Sequence, residues 1–196
     1  MPLLRELKLA TDMKGLTLIT FILLFSCCKN QENEVYAVIT TMVELIPSGQ
    51  NINIVDKTTQ IWEENLGIDI CSLKNLSLLQ SQARHNQKDQ EISKILSQRD
   101  IEYMCRQNDV VLVLDSTYLP ENVRLFSKKH LLEKKLDYSS PAIYQISTPM
   151  FDSKQRYALV YFDKYCGPEC GGGGLYILEK KDGKWGKIAY IMLWVS

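Results

Sequence analysis

The apolar and polar positions divide the chain into a helical first half and a strand-like last third. From Glu32 to Ile46, Val35, Ile39, Met42, Val43 and Ile46 recur at three- and four-residue spacing, which predicts an amphipathic helix that Pro47-Ser48-Gly49 stops. Asn51 to Val55 alternates Ile52 and Ile54 with polar neighbours and predicts a short strand, with Asp56 opening the next turn. Trp62, Leu66, Ile68 and Ile70 fit either a helix end or an irregular segment. Ser72 to Gln82 carries leucines in a polar background, and Ser81 to Gln90 reads as a solvated loop. Helical spacing returns with Ile92, Ile95 and Leu96. Ser97 followed by Asp100 then has the form of a capping box ahead of Ile101, Met104 and Cys105, with Asn108-Asp109 as the stop. Val110 to Leu114 is a continuous aliphatic run, expected as a strand buried on both faces. Leu119-Pro120-Glu121-Asn122 breaks the chain, and Ser127 to Lys135 is a basic segment expected to be exposed.

The last third is the most regular part. Ile143–Ser147, Arg156–Asp163, Gly174–Lys180 and Trp185–Val195 all have strand character, and Asp182-Gly183 between the last two is a tight-hairpin signal. Tyr157, Leu159 and Tyr161 share one face of the second of these strands, and Ala158, Val160 and Phe162 share the other. Connections this short require antiparallel pairing. The pattern therefore predicts one α+β domain over residues 35–196, with N-terminal helices packed on a C-terminal antiparallel β-meander.

The N-terminal segment reads as an address rather than as part of the fold. Arg5, Lys8 and Lys14 precede an uncharged run from Leu16 to Phe25, about half the roughly 20 apolar residues that a membrane-spanning helix needs. That is the form of a signal peptide over residues 1–26. Met13-Lys14 offers a second conventional start. Leu24-Phe25-Ser26-Cys27 resembles the bacterial lipobox, in which the cysteine is acylated and becomes the new N-terminus, although Phe25 departs from the small residue usual at its position. The resemblance implies lipidation at Cys27, membrane attachment through that anchor, and a polar tether over residues 27–34. Cys28 follows the anchor in place of an aspartate, and Gln31-Glu32-Asn33-Glu34 resembles an acidic surface-export tract of Bacteroidetes-type lipoproteins. Both favour the outer over the inner membrane, facing either the periplasm or the outside; a secreted protein or an uncleaved short anchor is the alternative to the lipoprotein reading itself.

Charge excludes little except polyanion binding. The 23 basic and 23 acidic residues balance, and no basic run exceeds a pair, so nucleic acid is not an expected partner.

Candidate chemistry centres on Tyr161 to Gly174, which reads Tyr-Phe-Asp-Lys-Tyr-Cys-Gly-Pro-Glu-Cys-Gly-Gly-Gly-Gly and holds two of the six cysteines. In an oxidising compartment Cys166 and Cys170 are expected to form a structural disulfide that fixes loop shape. Cys-Gly-Pro-Glu-Cys superficially resembles the thioredoxin-type Cys-Gly-Pro-Cys, but it has one residue too many and no helix start follows. Gly171 to Gly174 lack the Gly-Lys-Ser/Thr ending of a phosphate loop and are expected as a flexible or bulged start to a strand. Cys71 and Cys105 either pair or remain buried small hydrophobes, with the second reading preferred. His85 and His130 are the two histidines and sit in polar stretches without ligand spacing, so no metal or other cofactor is expected. Ser116, Thr117, Ser139 and Ser140 lie in no nucleophile elbow, and the carboxylates are scattered. Trp185, Tyr190 and Trp194 in the last strand are expected in core packing or an aromatic face.

The segments Tyr144-Gln145-Ile146-Ser147-Thr148-Pro149, Ala158-Leu159-Val160-Tyr161, Tyr165-Cys166-Gly167, Cys170-Gly171, Leu178 to Trp185 and Trp194-Val195-Ser196, together with Asp100-Ile101-Glu102-Tyr103-Met104, resemble a group of Bacteroidetes-type secreted proteins and lipoproteins of uncharacterised role. The resemblance implies fold and address but no activity. The resulting expectation is a lipid-anchored envelope protein acting as a non-catalytic binding or structural module. A hydrolase, or a thiol oxidoreductase using Cys166 and Cys170, is the alternative.

Overall fold

The computed structural model describes residues 31–47, 51–61, 69–82, 89–127, 129, 141–167 and 169–196. The signal segment, Cys27, Cys28, Trp62, His85, His130, Ser139 and Ser140 lie outside the described residues, as does most of the expected basic segment 127–135. The chain divides into a unit at Met1–Tyr36, of which residues 31–36 are described, and a unit at Ala37–Ser196 that holds the sheet and the groups discussed below.

The first helix, α1, covers residues 31–44, close to the 32–46 that apolar spacing predicts. Within the larger unit it buries Val38, Ile39, Met42 and Val43, which lie on one stripe of a 3.6-residue repeat. Strand β1 follows at Ile52–Val55. Three short helices come next: α2 at Leu73–Gln82, α3 at Ile92–Ile95 and α4 at Gln98–Cys105. The capping box that starts α4 is present, with the Ser97 hydroxyl accepting from the Asp100 N–H and the Asp100 carboxylate accepting from the Ser97 N–H. The Ser97 hydroxyl also donates to Asp100 Oδ2 at 2.6 Å, and this bond first, then the one from the Ser97 N–H, holds the Asp100 carboxyl below its usual pKa. The remaining strands are β2 at Val123–Phe126, β3 at Ile143–Ile146, β4 at Met150–Phe151, β5 at Tyr157–Tyr165, β6 at Gly171–Lys181 and β7 at Lys184–Val195.

The described strands form one seven-stranded sheet in the order β2-β1-β3-β5-β6-β7, with β4 paired to β5. The architecture is α+β, as the sequence predicts. Strands β3 to β7 pair antiparallel, whereas β1 runs parallel to both β2 and β3. The sheet is therefore mixed, and the meander expectation holds only for its C-terminal part. Two strands, β2 and β4, of four and two residues, are not among the elements that the sequence pattern predicts.

One sheet face is covered by helices. Leu159 of β5, Leu175 and Ile177 of β6, and Ala189 and Ile191 of β7 pack in one cluster with Leu76 of α2, Ile92 of α3, and Ile101 and Met104 of α4. Each of the Leu, Ile and Met side chains, fully withdrawn from water, contributes about 1.5–3 kcal/mol. Polar clasps tie the helices down. The buried Gln80 side chain donates to the Gln90 carbonyl at 2.7 Å and accepts from the Ile92 N–H at 2.8 Å. The Asn108 amide accepts from Ile61 N–H and donates to Ile61 C=O, both at 2.9 Å.

Two expectations need correction. Val110–Leu114 is not a buried strand: Val110, Val111 and Val113 are 48%, 49% and 68% exposed, and the run makes one isolated bridge, Val113 to Lys57. An aliphatic run signals burial only when a layer exists on each side, and this run lies outside the named strands of the sheet. Cys71 and Cys105 are not free hydrophobes either. Their Cα atoms are 5.8 Å apart and they form a disulfide joining the start of α2 to the end of α4.

Candidate functional site

The β5–β6 hairpin ends in a covalently closed tip. Antiparallel pairing brings Tyr165 opposite Gly171, which leaves residues 166–170 to make the turn. Cys166 N–H donates to the Cys170 carbonyl at 2.9 Å, and Cys170 N–H to the Gly167 carbonyl at 3.2 Å. Gly167 sits at φ 127°, a left-handed value that a side chain would strain. Cys166 and Cys170 then stand with Cα atoms 5.0 Å apart and are bridged, within the range a disulfide requires. Tyr165 and Glu169 beside the bridge are exposed. Cys170 runs directly into strand β6, so no helix N-terminus stands behind it to stabilise a thiolate.

The four glycines after Cys170 are neither a flexible lead-in nor an anion cradle. Gly171, Gly172, Gly173 and Gly174 are paired strand residues, facing Tyr165, Lys164, Asp163 and Phe162 on β5. A bulge between Gly173 and Gly174 is the one irregularity that the sequence reading anticipated at this point. Their smallness makes room for neighbours. A Cβ on Gly173 would lie 2.5 Å from Trp194 Nε1, 2.7 Å from Asp163 Cβ and 2.9 Å from the Tyr161 hydroxyl oxygen. A Cβ on Gly174 would meet the Ile191 carbonyl and the Tyr190 ring, and one on Gly171 would come 3.0 Å from the Trp194 ring.

The space over Gly173 is filled by a chain of polar groups. Trp194 Nε1–H of β7 donates to the Tyr161 hydroxyl oxygen at 2.8 Å, and the Tyr161 O–H donates to Asp163 Oδ2 at 3.0 Å. The other Asp163 oxygen accepts from the Gln145 N–H of β3 at 3.2 Å. Tyr161 and Asp163 are two residues apart on β5 and so point to the same face. Burial pushes the Asp163 carboxyl up to about 6, against the pull of the hydrogen bonds from Tyr161 and Gln145. Burial also raises the Tyr161 phenol well above its ordinary value, with the Asp163 charge adding to it. In the sequence the carboxylates read as scattered, and the one local signal is Tyr161 and Asp163 at strand spacing; the glycine opposite Asp163 is fixed by strand pairing.

The opposite face carries a row of aromatic rings. Tyr144 stacks on Phe162 at 5.4 Å between centroids, Phe162 meets Tyr176 edge-on at 6.1 Å, and Tyr176 meets Tyr190 at 4.7 Å. Lys187 Nζ lies over the Tyr176 and Tyr190 rings and 3.6 Å from Asp89 Oδ1. Burial raises the Tyr144, Tyr176 and Tyr190 phenols, Tyr176 to about 12. The three aromatics flagged in the last strand thus separate: Trp194 joins the polar chain, Tyr190 the aromatic row, and Trp185 packs on Phe151.

Other candidate groups are used structurally. Asp115 Oδ1 accepts from the Thr117 N–H and hydroxyl, both at 2.8 Å, which caps the 3-10 turn Ser116–Tyr118. Among the described residues no three His, Cys, Asp or Glu side chains cluster as a metal site, and no helix is long and apolar enough to cross a membrane. Two disulfides are the mark of a non-cytoplasmic, oxidising compartment. Comparison with protein-family models, with curated proteins and with solved structures finds no match.

Proposed function

We propose that the chain is a lipid-anchored cell-envelope protein, acylated on Cys27, whose α+β domain is a non-catalytic binding module with the tip at residues 165–171 as its recognition edge. The observation that carries the reading is the Cys166–Cys170 bridge across a hairpin turn. Closing so short a loop contributes about 2 kcal/mol, half of what the Cys71–Cys105 bridge contributes, and its local effect is to hold one loop shape. A loop held rigid, beside exposed Tyr165 and Glu169, loses less freedom on binding than a mobile one. The two disulfides are consistent with export, and the lipobox-like Leu24-Phe25-Ser26-Cys27 supplies the anchor.

A photoreactive residue placed at position 169 in intact cells tests the recognition edge, with position 94 on α3 as the control. The proposal expects one or a few discrete adducts from position 169, lost when Cys166 and Cys170 are both changed to serine. Equal labelling from both positions, or none from position 169, would overturn it.

A further inference from the structure

We propose that the Trp194–Tyr161–Asp163 chain is a proton-operated latch: ionised Asp163 holds Tyr161 and, through it, the Trp194 end of β7, and a proton taken up by Asp163 rewires that hold. The inference stands on geometry and is independent of the binding reading. Three strands meet in the chain, β3 through the Gln145 N–H, β5 through Tyr161 and Asp163, and β7 through the Trp194 indole. The fourth strand, β6, passes between β5 and β7 as Gly173, whose missing side chain leaves the gap the chain occupies.

Protonation cannot be silent in this arrangement. Both Asp163 oxygens already accept a hydrogen bond. A proton can occupy a free lone pair on either oxygen, yet both accepted bonds then lose the charge assistance of an ionised acceptor, and the new O–H competes for the Tyr161 oxygen. If Asp163 donates to the Tyr161 oxygen, the tyrosine must turn its own hydrogen elsewhere while still accepting from Trp194. The same proton removes a buried charge, so the switch changes the local arrangement without unfolding the sheet.

The surroundings leave Asp163 free to titrate. It has no ion-pair partner among the described residues. Its own strand carries Tyr157, Tyr161, Lys164 and Tyr165, of which Tyr161 is hydrogen-bonded to it; Tyr190 of β7 acts on Tyr161, β6 places Gly173 opposite it, and β3 contributes a backbone N–H. Both tyrosines stay protonated throughout the range in which Asp163 titrates. The carboxyl sits near 6 rather than in the usual range, which places the switch within mildly acidic conditions.

The test is a pH titration of the 15N-labelled full chain from about pH 3 to pH 8, read at the indole N–H signals of its three tryptophans, with Trp194 assigned by Trp194→Phe. The latch predicts a Trp194 signal that moves with a midpoint near 6 in the wild type and stays flat in Asp163→Asn. In Tyr161→Phe the Asp163 carboxyl still titrates, at a higher pH because a bond that lowers it is gone, but the indole no longer follows. A wild-type indole that is flat or has its midpoint near 4 overturns the proposal. So does an indole that still titrates in Asp163→Asn or still follows the carboxyl in Tyr161→Phe. Tyr161→Phe removes one buried oxygen atom, so it serves as a second variant if Asp163→Asn fails to fold.

Discussion

Cutting the two disulfides separately should reveal their different work. Cys71 and Cys105 are 34 residues apart in sequence, and Cys166 and Cys170 are 4 apart. Loop-closure entropy in the unfolded chain grows with the logarithm of that separation, which gives about 4 kcal/mol for the longer bridge and about 2 kcal/mol for the shorter. For a chain of this size each kcal/mol moves the melting midpoint by about 2–4 °C. Cys71→Ala/Cys105→Ala should therefore lower Tm by about 8–16 °C, and Cys166→Ala/Cys170→Ala by about 4–8 °C. The longer bridge also ties the start of α2 to the end of α4, two helices of the layer that covers one sheet face, so its loss should raise hydrogen exchange in both helices. Calorimetry of the oxidised protein, of both variants and of the wild type under reductant is the assay. Equal losses, or a larger loss from the hairpin bridge, would refute the reasoning that the first bridge serves the fold and the second the loop.

Further outcomes follow from the same geometry. Asp163 has a folded pKa raised above its unfolded value, so its contribution to stability is fully present below about pH 4 and is lost as pH rises through about 6. At pH 7 the loss amounts to about 3 kcal/mol at most. Urea melts of Asp163→Asn should lack that fall, and an unchanged pH profile would contradict it. Gly173→Ala forces a Cβ to 2.5 Å from Trp194 Nε1, whereas Gly172→Ala meets nothing closer than 3.4 Å. Denaturation should show a loss of about 1–3 kcal/mol for the first, the cost of overpacking, and a clearly smaller one for the second. Gln80→Leu leaves the buried Ile92 N–H and the Gln90 carbonyl without their side-chain partner. It should cost about 2 kcal/mol in the same assay, by the penalty for unsatisfied buried groups.

Local signals in the sequence were read well where they were locally sufficient. Ser97 and Asp100 define their cap by themselves. Asp182 and Gly183, at φ 51° and 77°, form the two-residue turn that their dipeptide predicts. Long alternating strands such as β5 and β7 carry enough positions to show a period. What escaped depends on partners distant in sequence. The parallel pairing of β1 with β2 joins residues such as Ile52 and Val123, and no spacing within either segment encodes it. Val110–Leu114 has strand composition but is largely exposed, and Cys71 finds Cys105 only once α2 and α4 pack. The glycine run read correctly as a bulged strand start, but the reason for its smallness, the Trp194 and Tyr190 rings that cross it, lies on another strand. Asp163 became a candidate only when Tyr161, Gln145 and Trp194 closed around it.

The proposed role rests on a chain that is exported, anchored and bridged, and mass spectrometry of the membrane-extracted protein tests all three together. Intact mass gives the N-terminus, and peptide mapping with thiol alkylation before and after reduction gives the pairing. The account predicts an acylated N-terminus at Cys27, with Cys71 linked to Cys105 and Cys166 linked to Cys170 and resisting mild reductant. An unmodified N-terminus would contradict the anchor. A readily reduced Cys166–Cys170 pair would contradict the rigid recognition edge and turn attention to thiol exchange.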